Sequence, residues 1–313
     1  MTYTTQSKYT VFNVHQECEL LPFIEKVLNG MSHNKAKAIL TNGGVMVDKH
    51  IETQHNFLLK PGMVVEISKR KPGIMLHNKF VKIIYEDRDI IVIDKSPGIL
   101  SAPAPHQLYN VKTILDSYLK ASHQKCTSHV VHRLDRDTSG IMVYAKNMNI
   151  EQVLEHSWKD IVIDRRYIAL VEGKMEQQNG SIESWLKEDE RFITYSSPFD
   201  NGGKYALTHF RTVKSNERYS LVELRLETGR KNQIRVHMQD IGHPICGDIK
   251  YGNNNDEQKR MYLHAFRLVL HHPRTNELLR FETPYPKEFM QTYNARNKNT
   301  AICCKNINHA KKK

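Results

Sequence analysis

Apolar residues recur along this chain in two ways, at the three-and-four spacing of a helical face and in the short runs of strands. Leu20, Phe23, Ile24, Val27 and Leu28 share a helical face, and Asn29-Gly30 ends it. Ser32 is a good N-cap for a second helix through Lys35, Lys37, Ile39 and Leu40, stopped by Asn42-Gly43-Gly44. Val45-Met46-Val47 reads as a strand, Asp48-Lys49 as a turn, and Met63 to Ile67 as a strand after the Lys60-Pro61-Gly62 break. Further on, Val81 to Tyr85 and Ile90 to Asp94 are two strands joined by a turn at Glu86-Asp87-Arg88-Asp89. Val111, Ile114, Leu115 and Tyr118 lie on one face of a helix over 111–119. Ile141 to Ala145 is a core strand, a helix follows over about 149–158, and 164–173 is a strand with a basic start. Ala206 to Phe210 and Ser220 to Leu226 alternate as strands.

Breakers and charge divide these elements. Residues 1–19 are a polar lead, 20–68 a small domain, 69–78 a basic linker, 79–290 the main domain and 291–313 a basic tail expected to be disordered. Lys69-Arg70-Lys71-Pro72-Gly73 marks the boundary, and a length of 313 residues fits about two domains. Hydrophobic and charged fractions of 39% and 26% are ordinary, but a formal charge of +12 is not. It suits a polyanionic partner, nucleic acid first and an anionic membrane surface second. No apolar stretch approaches the ~18 residues of a membrane span, and the N-terminus lacks the layout of a signal peptide. The cysteines, Cys18, Cys126, Cys246, Cys303 and Cys304, lack metal-ligand spacing and read as reduced thiols of a cytoplasmic protein. His237, His243, His264, His271 and His272 match no usual zinc pattern, so structural or nucleic-acid-facing roles are expected and no metal.

The chemistry concentrates at Val130 to Gly140, where Asp135 stands between Arg133 and Arg136 with Asp137 beside them. Thr138-Ser139-Gly140 turns into the strand at Ile141, so the charges sit on a loop at the mouth of the core. On pattern alone a solvated ion-pair loop is the stronger reading, since such pairs are common and weak. Tyr167, alternating with apolar neighbours, reads on pattern as a core tyrosine, and Lys35 and Lys37 equally well as a solvated helix face. Leu226 to Met238 is a basic turn, with Arg230 and Lys231, opening a helix; helix N-termini bind anions, so it fits a phosphate site.

The nine residues His132 to Gly140, HRLDRDTSG, resemble the signature of the RluA family of RNA pseudouridine synthases. Lys95 to Leu100 is similar to the family's opening motif, with the proline one place later than usual. Leu226 to Met238, running on to Gly242-His243-Pro244-Ile245, Gly247-Asp248 and Tyr251-Gly252, resembles a third motif, with Lys231-Asn232 where Thr-His or Ser-His is common. His264-Ala265, His272-Pro273 and Thr283-Pro284 complete the family's C-terminal pattern. The resemblance implies that Asp135 is catalytic, that Arg235 pairs with it, and that Tyr167 stacks on the target base. It makes Arg133 a candidate to fill the gap left by an extracted nucleotide. A guanidinium beside a carboxylate favours its ionised form and fixes its direction.

Residues 20–68 resemble the S-four RNA-binding module, named after a ribosomal small-subunit protein, with Lys35 and Lys37 facing RNA and His33 where an arginine is common. Together these likenesses imply an α/β protein of α+β type. A mostly antiparallel mixed sheet forms the catalytic core, and a small S-four-like α/β domain precedes it. The implied protein is an isomerase needing no cofactor, because no atoms are gained or lost. It is expected to be monomeric, with large-subunit ribosomal RNA as first substrate and transfer RNA as second. A non-catalytic RNA-binding or ribosome-assembly protein on the same fold would be expected to have lost Asp135, Tyr167 or Arg235, and all three are present.

Overall fold

A computed structural model describes residues 9–29, 31–41, 43–68, 75–252 and 260–294. The expected helix stops Gly30 and Asn42, the linker residues 69–74 and the tail from 295 lie outside the described residues. The chain divides into two compact units, 1–77 with 120–124, and 78–119 with 125–313.

The first unit runs β1 (Tyr9–Asn13), β2 (Cys18–Glu19), α1 (Leu20–Val27), α2 (His33–Thr41), β3 (Val45–Val47), β4 (His50–Ile51), β5 (Leu58–Leu59) and β6 (Val64–Ser68). Four strands form a sheet in the order β1-β6-β3-β4. Asp48 and Lys49 join β3 to β4 with φ of 48° and 70°, the left-handed pair that a two-residue hairpin turn requires. The polar lead expected over 1–19 is corrected here. Tyr9–Asn13 pairs antiparallel with β6, and Val14, 2% exposed, joins the core of Leu20, Ile24, Leu40 and Val65. Only one face of β1 is covered and its partner lies over fifty residues away, so nothing local announces the strand.

The second unit contains β7 (Val81–Glu86), β8 (Ile90–Lys95), α3 (Val111–Ala121), β9 (His129–Val130), β10 (Ser139–Ala145), α4 (Met148–His156), α5 (Trp158–Ile161) and β11 (Val162–Glu172). It continues through β12 (Asn179–Glu188), β13 (Thr194–Ser197), β14 (Lys204–Ser215), β15 (Tyr219–Leu226), α6 (Gln233–Asp240), β16 (Leu263–His271) and β17 (Leu278–Glu282). One sheet runs β13-β12-β14-β15-β11-β16-β10-β8-β7, with β17 on β16 and β9 on β10. Every named pair in it is antiparallel except β10 with β16. The α+β fold is therefore the one expected. The helix expected over 149–158 is two helices, because Ser157 closes α4 with its N–H on Val153 O. Residues 287–294 are also helical, with Phe289 fully buried against Tyr262 and the Thr292 hydroxyl 2.9 Å from that of Tyr262. The tail expected from 291 is therefore helical over its first four residues, 291–294.

The parallel junction is where the motif of residues 132–140 enters the sheet. Gly140 pairs with Ala265 at φ +119°, and a Cβ there would lie 2.2 Å from the Ala265 carbonyl oxygen. Only glycine fits, which gives the last residue of the motif a packing reason.

Candidate active site

The loop carrying Asp135 is tied down from below by residues 95–101. Gly98 N–H and the Lys95 ammonium donate to Arg136 O at 2.8 and 3.0 Å. Ser101 Oγ donates to Leu134 O at 2.7 Å and accepts from Leu134 N at 3.1 Å. Lys95 is fully buried, and that burial lowers its pKa to about 7, against the opposing pull of Asp137 and Asp135. His132 accepts from Val143 N at 3.0 Å and packs on Trp158, and burial takes its pKa down to about 3. On the strand side, Ser139 Oγ lies 2.8 Å from His264 Nδ1 and accepts from Arg260 at 2.7 Å. Arg136 turns away to Asp137 at 3.0 Å, and the cation that pairs with Asp135 is not a sequence neighbour.

That partner arrives from 100 residues along the chain. Arg235, on the first turn of α6, donates from Nη1 to Asp135 Oδ2 at 2.8 Å. Its Nε and Nη2 are taken by the two oxygens of Asp248, each at 2.7 Å, and Nη1 also reaches Asn232 Oδ1 at 3.1 Å. The guanidinium lies over the Tyr251 ring, 4.9 Å from its centroid. Burial alone would lower the pKa of Arg235, but Asp248 and then Asp135 outweigh it and raise it. Asp248 is fully buried in its side chain and also accepts from the N–H groups of Lys250 and Tyr251 at 3.0 and 3.1 Å. The arginine is thus held on one edge by a buried carboxylate and offers its other edge to a carboxylate 33% exposed.

The turn before α6 is built by Gln233 and Asn232. Gln233 Oε1 accepts from Arg230 N and Thr228 Oγ1, and its Nε2 donates to Leu207 O and Thr208 Oγ1, all between 2.8 and 3.0 Å. Asn232 caps the helix at φ 55°, a left-handed conformation asparagine tolerates, and donates to the Tyr251 hydroxyl at 3.0 Å. So the asparagine standing where a histidine is common links Arg235 to the tyrosine beneath it.

Asp135 and Arg235 line a cavity of about 1050 Å³. Of the expected site residues, Tyr167, Arg133, Arg230 and Lys231 line it too. Tyr167, 9% exposed, comes from β11, where the register against β16 shifts between Arg166 and Tyr167. Such irregularities re-aim side chains. Burial raises the Tyr167 pKa; Arg165 opposes this and Asp135 adds to it. Arg230 is braced on Tyr205 O at 3.0 Å, and Lys231 pairs with Glu188. Sequence reading did not single out Lys159, Arg165 or Lys250, which also line the cavity and bring its cations to eight against three carboxylates. Asp248, present in the third motif, receives no role from the sequence. Lys35 and Lys37 are exposed on α2 in the first unit, outside the residues that line the cavity.

The five histidines considered for a metal are engaged otherwise. His237 sits between Ser184 Oγ and Thr208 Oγ1 at 2.9 and 2.8 Å, and His264 reaches Thr283 Oγ1 at 2.9 Å. His243 and His271 meet backbone carbonyls. His272 lies 2.9 Å from Asp87 in a cluster with Asp89, where Tyr85 donates to Asp87 and Arg274 clamps Asp89. That cluster's carboxylates are already committed within the fold.

Comparison with known proteins identifies the family and the fold. The profile of the family described as RNA pseudouridylate synthase matches residues 89–240. An uncharacterised RNA pseudouridine synthase of Bacillus subtilis, YjbO, is 34% identical over 276 residues, covering 86% of this chain and 96% of that protein. Ribosomal large subunit pseudouridine synthase D of Borreliella burgdorferi is 35% identical over 221 residues, 67% of each chain. Among solved structures, human RNA pseudouridylate synthase domain containing 1 superposes with a TM-score of 0.55 at 25% identity, covering 69% of this chain and 86% of that one.

Proposed function

The chain belongs to the RNA pseudouridine synthase family, and from that premise we propose that Asp135 is its catalytic carboxylate, acting on a uridine of large-subunit ribosomal RNA. Members of this family are isomerases of RNA. The reaction breaks the bond between uracil nitrogen and ribose, turns the base within the site and rejoins it through carbon. It calls for an ionised carboxylate beside the ribose, a cation that holds it, and a pocket that retains the freed base. The observation that carries the reading is the Arg235–Asp135 contact of 2.8 Å at a cavity lined by eight cations. Asp135 is reachable while Arg235 is anchored from behind by Asp248, so the carboxylate is held without being covered.

Tyr167 offers its ring to the base, which must leave the stack because its reacting atoms are out of reach within one. Arg133, exposed at the rim, would occupy the vacated space, and Arg230 and Lys231 would meet phosphates. The large-subunit assignment is supported by relatives named ribosomal large subunit pseudouridine synthase D at 35% and 34% identity, and by the S-four likeness of the first unit with Lys35 and Lys37 on α2. The test is to map pseudouridines in ribosomal and transfer RNA from cells with the gene, without it, and with Asp135→Asn. Loss of a large-subunit pseudouridine in the last two is expected. A rate reduced by ~10⁴-fold or more in the purified, folded variant would accompany it. Loss only from transfer RNA would move the substrate, and a folded Asp135→Asn protein with sizeable turnover would remove Asp135 from the chemistry.

A further inference from the structure

The turn between β12 and β13 carries an aromatic ring that the roles given to Asp135, Tyr167 and Arg235 do not use. Phe192 is 71% exposed, and its backbone has φ 59°, a region bulky residues rarely enter. The turn that holds it is well fixed. Asp189 Oδ1 accepts from Arg191 N and Ile193 N at 3.0 and 2.7 Å, and Phe192 N donates to Asp189 O at 3.0 Å. Ile193 packs on Leu186, Ala206, Val236 and Tyr251, and Thr194 N donates to the Tyr251 hydroxyl at 3.0 Å. The ring is therefore presented to solvent by a segment rooted on the same tyrosine that underlies Arg235.

One lysine lies near the ring and a second holds its backbone. Lys231 Nζ lies 5.8 Å from the ring centroid, and Lys250 Nζ donates to Phe192 O at 2.6 Å. Both lysines line the main cavity. Lys231 also pairs with Glu188, yet remains about half exposed. An exposed ring with one lysine beside it and another on its backbone, both lining a basic cavity, has the makings of a single-strand binding element. There, bases stack on aromatics while lysines or arginines follow the backbone.

We infer that Phe192 is a stacking platform for an unpaired nucleobase flanking the target uridine, with Lys231 and Lys250 meeting the adjacent phosphates. This rests on reading the cavity as the uridine site. Because every base has a π-face, the platform adds affinity and holds the strand in register without choosing its sequence.

The probe is an oligouridylate of about twelve nucleotides, within the span of single-strand sites, titrated against the full chain at several salt concentrations. Base–aromatic stacking implies that Phe192→Ala weakens binding by about 5- to 150-fold. Phe192→Gly, which relieves the left-handed backbone, should weaken it equally and so exclude a backbone cause. Phe192→Trp should retain binding, and its added indole emission should be quenched as the RNA saturates. Binding by Phe192→Ala within about twofold of the unaltered chain would overturn the inference, as would an indole at 192 indifferent to RNA. The measurement is of binding alone. Turnover by Asp135→Asn would undo the catalytic reading and leave the Phe192 result standing.

Discussion

Asp248→Asn is the most searching perturbation of the site. The substitution keeps the side chain's size but replaces one acceptor oxygen with an N–H₂ group. Among the described residues, the Asp248 carboxylate meets donors, the Nε and Nη2 of Arg235 and the N–H groups of Lys250 and Tyr251. Whichever way the amide turns, donor faces donor. Breaking a buried ion pair from one side costs about 3–5 kcal/mol. Arg235 keeps Asp135 and is 13% exposed, so the lower end, about 3 kcal/mol, is appropriate. At ~2–4 °C per kcal/mol for a domain of this size, the melting temperature should fall by about 6–12 °C. Activity should fall further than stability alone requires, because the guanidinium edge facing Asp135 loses its anchor. A displacement of ~1 Å at a catalytic group costs on the order of 10²-fold in rate. Asp248 does not line the main cavity, so the loss should appear in kcat with KM for RNA little changed. Calorimetry and a pseudouridine-specific chemical readout on large-subunit RNA would measure both. A variant melting within about 1 °C of the parent and working at more than half its rate would show that Arg235 is held by something else.

Three further outcomes are expected. Tyr167→Phe should bind RNA normally and lose product if the hydroxyl acts after the base has turned; unchanged product formation would leave the tyrosine only its ring. Lys35→Glu with Lys37→Glu should reduce the salt slope of RNA binding by about 0.7–0.9 for each phosphate no longer neutralised, read from titrations across a salt series. His132, His237 and His264 are held by burial at about 3, 4 and 4, well below the ~6.5 of an unfolded chain. Below pH 6.5 the unfolded chain takes up protons that the folded one refuses. Stability should therefore decline from pH 6.5 toward 4, by at most about 1.4 kcal/mol per pH unit for each group, and denaturant midpoints across that range should flatten in His237→Asn.

Elements whose pattern is strong locally were legible in the sequence. The apolar runs at 90–94 and 141–145 are strands β8 and β10, and the one-sided helical spacing at 20–28 and 111–119 gives α1 and α3. Elements defined by a distant partner were not. β1 is covered on one face by a strand over fifty residues away, and β16, buried almost throughout, has no alternation to read. The pairing of Arg235 with Asp135 came from resemblance, since 100 residues separate them and nearer arginines stood beside the aspartate. Lys159 and Arg165, and the role of Asp248, escaped for the same reason: their surroundings exist only once α6, α5 and β11 have met. The substitution of Asn232 was visible, but its left-handed cap and its link to Tyr251 were not.

The position of β16 bears on how the protein is made. Residues 81–145 supply β7, β8 and β10, while 162–226 supply β11 to β15. The strand between β10 and β11 is β16, the last long strand to leave the ribosome. At ~5–20 residues per second, the apolar edge of β10 waits on the order of ten seconds for its neighbour. Until then the β10 edge that β16 will meet at Ser139 and Gly140 is covered only by β9, at Tyr144 and Ala145, and open strand edges recruit other chains. Asp135 leads into one half and Arg235 follows the other, so their ion pair closes across a seam that β16 stitches. Synthesis thus sets the sequence of events: a chain stalled before Leu263 would carry both Asp135 and Arg235 and lack the strand that joins their halves of the sheet.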